Sequence, residues 1–225
     1  MIDFLIDYFR ITVHTSTLEC VELYKEHFQD TLGGLQELAH GAKGFKGVFA
    51  SSLGFQLKHT PGAGREYCTF EFPGKACKAV PPEFFRLFYS VLERKEIRFN
   101  VTRIDLAFDG VSFSPEQFYQ TIMSDVMRKP GEKEIVRSLT QRNSLNFISE
   151  PFKAKEDDSS MGRETCYFGS RHSERFLRVY NKRGPTRLEV EFKGNRAGLV
   201  ANALLGKYHD EDQLFEIAIS RSEEH

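Results

Sequence analysis

Eight stretches of the chain predict β-strands, some from alternation of hydrophobic and polar positions and others from β-branched and aromatic residues. The tetrapeptide PGAG, between the second and the third stretch, predicts the turn of a β-hairpin. In chain order the stretches are IDYFRITVHT, FKGVFASSLGFQLKHT, EYCTFEFPG, RFNVTRIDLAFDG, SLNFIS, TCYFGS, FLRVYNK and TRLEVEFKG.

Four further stretches predict helices from their apolar spacing and their end signals. Ser16 or Thr17 can cap the first helix, and Gly33-Gly34 can end or break it. Asn195 can cap the last helix. Ser114 and Gln117 have the spacing of a capping box at the start of the third. The helical stretches are STLECVELYKEHFQDTLGGLQELAH, PPEFFRLFYSVLERK, PEQFYQTIMSDVMRK and NRAGLVANALLGKYHDEDQLFEIAISRS.

Strands joined by hairpins and followed by a few helices predict an α+β fold. We expect an antiparallel β-sheet with helices packed mainly on one face, and an active site on the open polar face. A chain of 225 residues suits one substantial domain. We therefore predict a single catalytic domain over residues 1–225, in which residues 195–225 form a helical, acidic C-terminal end.

The net charge of −1 excludes a uniformly basic protein, so any nucleic-acid surface must be local. Charge is unevenly placed, because residues 163–196 hold nine Lys and Arg against four Asp and Glu. Residues 203–225 hold two Lys and Arg against six Asp and Glu. A basic block before an acidic end is compatible with a polyanion site.

The cysteines form no C-x-x-C pair and no zinc-site spacing, which fits the reducing cytoplasm. The N-terminal stretch MIDFLIDYFRITVHT carries acidic residues within its apolar run and lacks the basic start of a signal peptide. No apolar run approaches the ~18 residues that a membrane span needs. We predict a cytoplasmic protein with no membrane partner.

Residues 176–194 carry the strongest chemical pattern in the chain. On the first predicted strand, Arg178, Tyr180 and Lys182 share one face. On the second strand, Arg187, Glu189, Glu191 and Lys193 share one face, and Arg103, Asp105 and Asp109 do so in RIDLAFD. The open face of an amphipathic sheet is usually only solvated. Here, however, both signs of charge alternate, and cations on either side of a tyrosine would favour its phenolate.

A tyrosine nucleophile, carboxylates for a divalent metal and cations for a phosphate form a chemically complete set. In sequence order, RIDLAFD, CYFGSRHSERFLRVYNK and RLEVEFKG resemble the three blocks of the Rep_trans replication initiators. These proteins start rolling-circle replication of Gram-positive plasmids and are related to the relaxases of integrative conjugative elements. The opening IDFLIDYFRITV resembles the first strand of the family, so the resemblance spans about residues 2 to 200.

The resemblance implies metal-dependent DNA nicking and strand joining at a plasmid origin, through a covalent 5′-phosphotyrosine intermediate. It also implies Mg²⁺ or Mn²⁺ held largely by carboxylates, and the seven histidines include no H-x-H pair. The implied partners are the origin DNA, as a hairpin or a single-stranded nick site, a second copy of the chain in a homodimer, and a helicase.

Tyr180 is our predicted nucleophile, because it matches the tyrosine of the family's Y-[ND]-K block. Arg178 and Lys182 are assigned to the scissile phosphate or to tuning the pKa of Tyr180. Tyr167 is the reserve candidate for the nucleophile, with packing of an aromatic ring on the sheet as the alternative role.

Asp105, Glu189 and Glu191 are the predicted metal ligands. Four strand residues separate Asp105 from Asp109 by ~13 Å, so the two cannot easily share a metal. Asp109 precedes a glycine, where a turn is more frequent, so we choose Asp105 and keep Asp109 as the alternative. Either glutamate can instead pair with a nearby arginine as a structural ion pair.

Ser170, Arg171 and Ser173 of GSRHS are predicted to contact DNA phosphates, and Arg187 is assigned to DNA contact with them. His172 is a further candidate for phosphate contact or proton transfer, and a plain surface turn is the alternative for the whole segment.

Three other functions stay open at this point. They are a relaxase of an integrative conjugative element, a catalytically inactive module that binds origin DNA, and a purely structural α+β domain.

Overall fold

The computed structural model describes residues 3–39, 44–60, 66–81, 83–127, 145–150, 163–181 and 184–205. Its strands are β1 Asp3–Val13, β2 Gln36–Glu37, β3 Gly47–Ala50, β4 Gln56–His59, β5 Cys68–Phe72, β6 Phe99–Asp109, β7 Leu145–Glu150, β8 Arg163–Phe168, β9 Arg175–Asn181 and β10 Thr186–Lys193. Its helices are α1 Thr17–His27, α2 Gln29–Leu32, α3 Gly74–Ala79, α4 Glu83–Arg94, α5 Pro115–Met127 and α6 Gly194–Leu205.

Two compact units are distinguished by their internal contacts. The larger unit comprises Ile6–Asp105 and Phe192–His225, and the smaller unit comprises Met1–Leu5 and Leu106–Glu191. The prediction of a single catalytic domain over residues 1–225 stays a prediction. Residues 206–225 of the predicted acidic end lie outside the described residues.

The larger unit is built on strands in the order β2-β3-β4-β5-β1-β6. Its resolved strand pairs are antiparallel, with Phe9 opposite Phe72 between β1 and β5. Helix α4 buries residues at helical spacing, and their rings pack with those of β1, β5 and the end of α1. The centroids of Phe28 and Phe88 lie 4.7 Å apart, in an edge-to-face arrangement that aromatic pairs favour. The core is therefore dominated by phenylalanine.

Strands of the smaller unit follow the order β6-β10-β9-β8-β7. β7, β8 and β9 are paired antiparallel, and helix α5 packs against the buried Cys166 and Val179 on one sheet face. The capping box that starts α5 is present: Ser114 N donates to Gln117 Oε1 at 2.8 Å, and Gln117 N donates to Ser114 Oγ at 3.1 Å. An antiparallel open sheet with helices confirms the predicted α+β fold.

Three predicted segments differ from the structure. FKGVFASSLGFQLKHT is two strands rather than one, because Ser51 and Gly54 make a turn in which Gly54 has a φ of +87°. The first helix stops before Phe28, and the short helix α2 that follows ends at Leu32, where Gly33 has a φ of +86° and confirms the predicted helix end. The rest of that stretch contains β2 rather than helix. Asn195 lies inside α6, which begins at Gly194, rather than capping it.

A local signal was sufficient at the start of the first helix. Ser16 caps α1, because its hydroxyl accepts the Glu19 N–H at 3.2 Å. Among the described residues, no helix is long and apolar enough to cross a membrane.

We expect Phe88→Ala to lower the free energy of unfolding by about 3–5 kcal/mol, because Phe88 is 1% exposed and its loss leaves a cavity. Its neighbour on the same helix is a matched control: Leu87 is 54% exposed, so Leu87→Ala changes stability by only about 0.5 kcal/mol. Urea titration followed by circular dichroism measures both. Equal losses in the two variants would contradict the described packing of α4.

Candidate active site

The polar face of the β8-β9-β10 sheet belongs to the smaller unit, and strand geometry decides which side chains it holds. Register pairs Thr165 with Tyr180 and Tyr167 with Arg178 between β8 and β9. Directly opposite residues point to the same side of a sheet, so these four side chains share one face. Val179 and Cys166, one residue along, point to the face that α5 covers.

A buried carboxylate joins β9 to β10 on this face. Glu189 is only 3% exposed. Tyr180 donates its hydroxyl proton to Glu189 Oε2 at 3.0 Å, and Arg178 donates from Nη2 to Glu189 Oε1. Both oxygens of the carboxylate are thus bonded, one to the predicted nucleophile and the other to a guanidinium.

Arg187 is held in a second ion pair of the same face. It is 1% exposed, and its Nε and Nη2 donate to the two oxygens of Asp109, with Nη2 at 2.5 Å from Oδ2. This side-on pair is the geometry that a guanidinium fork favours with a carboxylate. Backbone bonds from Gly110 N and Val111 N to Thr186 O, at 3.0 and 3.3 Å, fix the end of β6 against the start of β10.

Asp109 is the site residue that sequence reasoning passed over. Its position before Gly110 predicted a turn, and Gly110 does adopt a φ of +78°. The carboxylate nevertheless pairs with Arg187, which lies 78 residues further along the chain. The available signal was the alternation in RIDLAFD, which places Asp109 on the charged face.

The electrostatic environment of Tyr180 opposes ionisation. Burial, above all, and the adjacent Glu189 anion raise the pKa of Tyr180 to about 12, although the Arg187 guanidinium acts in the opposite direction. The Arg187 cation thus favours the phenolate in the expected direction, but burial and the Glu189 anion outweigh it. The hydroxyl stays protonated at neutral pH.

Two of the three predicted metal ligands, Asp105 and Glu189, are paired with arginines. Asp105, in the larger unit, accepts bonds from Arg103 Nε at 2.8 Å and Nη2 at 2.6 Å. Glu191 is buried on β10, two residues from Glu189. Within the described ranges, no three His, Cys, Asp or Glu side chains converge on one point. The donor chemistry of the two glutamates still suits a hard divalent cation. The Arg178 guanidinium now supplies the positive charge at Glu189.

The GSRHS segment connects β8 to β9 as a tight, internally bonded loop. Ser173 Oγ donates to Ser170 O at 2.6 Å, and His172 N donates to Ser170 Oγ at 3.2 Å. Gly169 has a φ of +95°, and a Cβ there would lie 3.0 Å from Arg175 O. The two hydroxyls therefore serve the loop itself, and their predicted phosphate contacts stay a prediction.

An aromatic and cationic group lies beside this loop. The rings of Tyr167 and Phe176 stack with centroids 5.7 Å apart at 20°. The exposed Arg171 places its Cζ 5.9 Å from the Tyr167 centroid and 5.6 Å from that of Phe176.

Most of the predicted site residues on β9 and β10 come together. Tyr180, Arg178 and Glu189 form one bonded group, and Arg187 lies beside Tyr180 while paired with Asp109. Arg187 is buried rather than facing solvent, and its assignment to DNA stays a prediction. Lys182 lies outside the described residues.

Comparison with known proteins finds a similar solved structure. No family model matches the chain. No curated protein matches it either. The solved structure of a rolling circle replication initiator protein from Geobacillus stearothermophilus is similar, with a TM-score of 0.60 and 15% identity over 92% of this chain and 80% of that chain. This similarity shows a shared fold. An aspartate kinase from Clostridium acetobutylicum aligns with a TM-score of only 0.21 and 8% identity, over 92% of this chain and 33% of that chain.

We expect Asp109→Ala to lower the free energy of unfolding by about 3 kcal/mol, because the buried Arg187 guanidinium loses its carboxylate partner. The double variant Asp109→Ala/Arg187→Met removes that charge as well and recovers part of the loss. Denaturant titration of both proteins tests this. A double variant less stable than Asp109→Ala alone would contradict the ion pair as the cause.

Glu189→Gln is expected to lower the pKa of Tyr180 below about 12, because the neighbouring anion that opposes the phenolate is removed. Absorbance of tyrosinate against pH, taken as the difference between each protein and its Tyr180→Phe counterpart, isolates this residue. The titration is confined to the pH range in which circular dichroism shows folded protein. An unchanged or higher midpoint would refute the described Tyr180–Glu189 contact.

Proposed function

We propose that the chain is a rolling-circle replication initiator, which nicks and rejoins one DNA strand at a plasmid origin through Tyr180. The observation that carries the proposal is the bonded group of Tyr180, Glu189 and Arg178, with Arg187 beside it. It occurs on a fold similar to that of a solved rolling circle replication initiator. The resemblance of the sequence blocks points to the same class of reaction.

In the proposed reaction, the Tyr180 oxygen attacks a DNA phosphorus atom. A bond forms between that oxygen and phosphorus, and the bond from phosphorus to the 3′ oxygen breaks. The products are a 5′-phosphotyrosine and a DNA strand ending in a 3′ hydroxyl. Rejoining is the same exchange in reverse, with the 3′ oxygen attacking the phosphotyrosine.

Tyr180 is a neutral phenol at neutral pH, so its hydroxyl proton has to be removed when the oxygen attacks. Glu189 Oε2 already accepts the hydroxyl at 3.0 Å, so an acceptor for the proton is in place when the oxygen attacks. The leaving 3′ oxygen takes its proton from solvent. Arg178 is assigned to the phosphate oxygens, on which negative charge builds up.

Glu189 and Glu191 would hold the proposed Mg²⁺ or Mn²⁺, in exchange for the bond between Glu189 and Arg178. When bound, the cation would polarise the phosphate as a Lewis acid. Asp105 stays a predicted ligand. Origin DNA as the substrate, a homodimer and a helicase partner are proposals that rest on the sequence resemblance alone.

We expect a covalent protein–DNA adduct with single-stranded oligonucleotides from hairpin origins, visible on a denaturing gel with Mn²⁺ and lost with EDTA. Tyr180→Phe abolishes the adduct because it removes the attacking oxygen. Glu189→Gln lowers the rate by about 10²- to 10⁴-fold, because the proton acceptor is lost.

Tyr167→Phe is the matched control and keeps the adduct. Loss of the adduct in Tyr167→Phe alone would transfer the nucleophile to Tyr167. DNA binding without an adduct on any origin would favour a catalytically inactive binding module. An adduct that persists in EDTA would remove the metal from the proposal.

A further inference from the structure

Tyr167 shares the sheet face of the proposed nucleophile. It is paired directly with Arg178, and Thr165 is paired with Tyr180, so all four point to the same side. Two residues along a strand span ~7 Å, which is the offset of Tyr167 from the position opposite Tyr180. A nucleotide next to the attacked phosphate therefore lies within reach of the Tyr167 ring.

The ring of Tyr167 is held in a fixed orientation. It stacks on Phe176, which is 5% exposed and so anchored in the unit, at a centroid distance of 5.7 Å. Arg171 is exposed and brings its guanidinium to 5.9 Å from the same ring. We call Tyr167, Phe176 and Arg171 the stacking platform.

The loop that carries Arg171 is also pre-formed. The hydroxyls of Ser170 and Ser173 form hydrogen bonds within the loop. At Gly169 there is little space for a side chain. A rigid loop loses little conformational entropy when a ligand binds. Because these hydroxyls are bonded within the loop, the groups that can stack on a ligand here are the Tyr167 ring and the Arg171 guanidinium.

Aromatic rings and guanidinium planes are the groups on which proteins stack unpaired bases. Bases in a duplex are already stacked on each other, and their faces are not accessible to a side chain. A surface of this type therefore distinguishes an unpaired nucleotide from a paired one. The plain alternative is that Arg171 only covers the aromatic pair.

We propose that the stacking platform binds an unpaired DNA base flanking the phosphate attacked by Tyr180, an inference that rests on the proposed function. It assigns Tyr167 to substrate binding rather than to nucleophilic attack. It also assigns Arg171 to a base face in addition to any phosphate contact. Unpaired DNA in the site is thus recognised by stacking, without reading its sequence.

The test uses the Tyr180→Phe protein, which binds without cleaving, and a short oligothymidylate with one central 2-aminopurine. The chain contains no tryptophan, so the fluorescence of the probe is measured without that background. We expect binding to quench the probe, because its base stacks on the platform. The same oligonucleotide annealed to a complementary strand should show no further quenching on addition of protein.

Variants at two positions separate stacking from other contacts. Adding Tyr167→Phe keeps the ring and should preserve both affinity and quenching within about twofold, whereas Tyr167→Leu should weaken binding about tenfold and remove the quenching. Arg171→Lys keeps the charge but loses the plane, so it should reduce the quenching more than the affinity. Circular dichroism verifies folding, and Arg171→Ala at the exposed position replaces Tyr167→Leu if that variant does not fold.

Wild-type quenching in Tyr167→Leu, or in Arg171→Ala, would overturn the proposal. Equal losses in Tyr167→Phe and Tyr167→Leu would also overturn it, since the hydroxyl rather than the ring would then matter. The adduct assay separates this inference from the proposed function. Quenching without any adduct leaves a single-strand binding site without nicking activity, and an adduct without quenching removes the platform alone.

Discussion

The polar cluster of the smaller unit depends on the Glu189 carboxylate, because an anion that is 3% exposed needs partners for both oxygens. Arg178 satisfies one oxygen and Tyr180 the other. The same contact that compensates the buried charge also orients the phenol and helps to keep it protonated. The same hydrogen bonds therefore satisfy the buried carboxylate and position the phenol. A substitution at Glu189 affects both roles.

At the end of β6, Asp109 compensates a second buried charge, the guanidinium of Arg187. Arg187 is the most deeply buried cation of the cluster, and the side-on pair with Asp109 supplies its counter-charge. The backbone bonds of Gly110 and Val111 to Thr186 hold the two strand ends together and so keep the ion pair in register. Asp109 and Gly110 are therefore adjacent in sequence and both fix the end of β6 against the start of β10, one by an ion pair and the other by a backbone bond.

In the smaller unit, the two faces of the sheet have different roles: one packs against a helix and the other carries the polar site. One face receives α5 on Cys166 and Val179, and the other carries the bonded charges, Tyr180 and the stacking platform. Since both faces belong to the same strands, the apolar contacts of α5 fix the strands on which the charges depend. The fold is similar to that of a solved rolling circle replication initiator.

The sequence by itself determined the features that covalent geometry and local bonding control. Strand alternation placed Arg178 with Tyr180 on one face, and a spacing of three residues predicted the capping box of Ser114 and Gln117. Only the tertiary structure decided that Asp109 meets Arg187 across 78 residues, because that contact depends on how distant strands lie together. It also set the pKa of Tyr180, which burial and the Glu189 anion raise against the opposing effect of Arg187. Burial is a property of the packed molecule and cannot be derived from alternation along one strand.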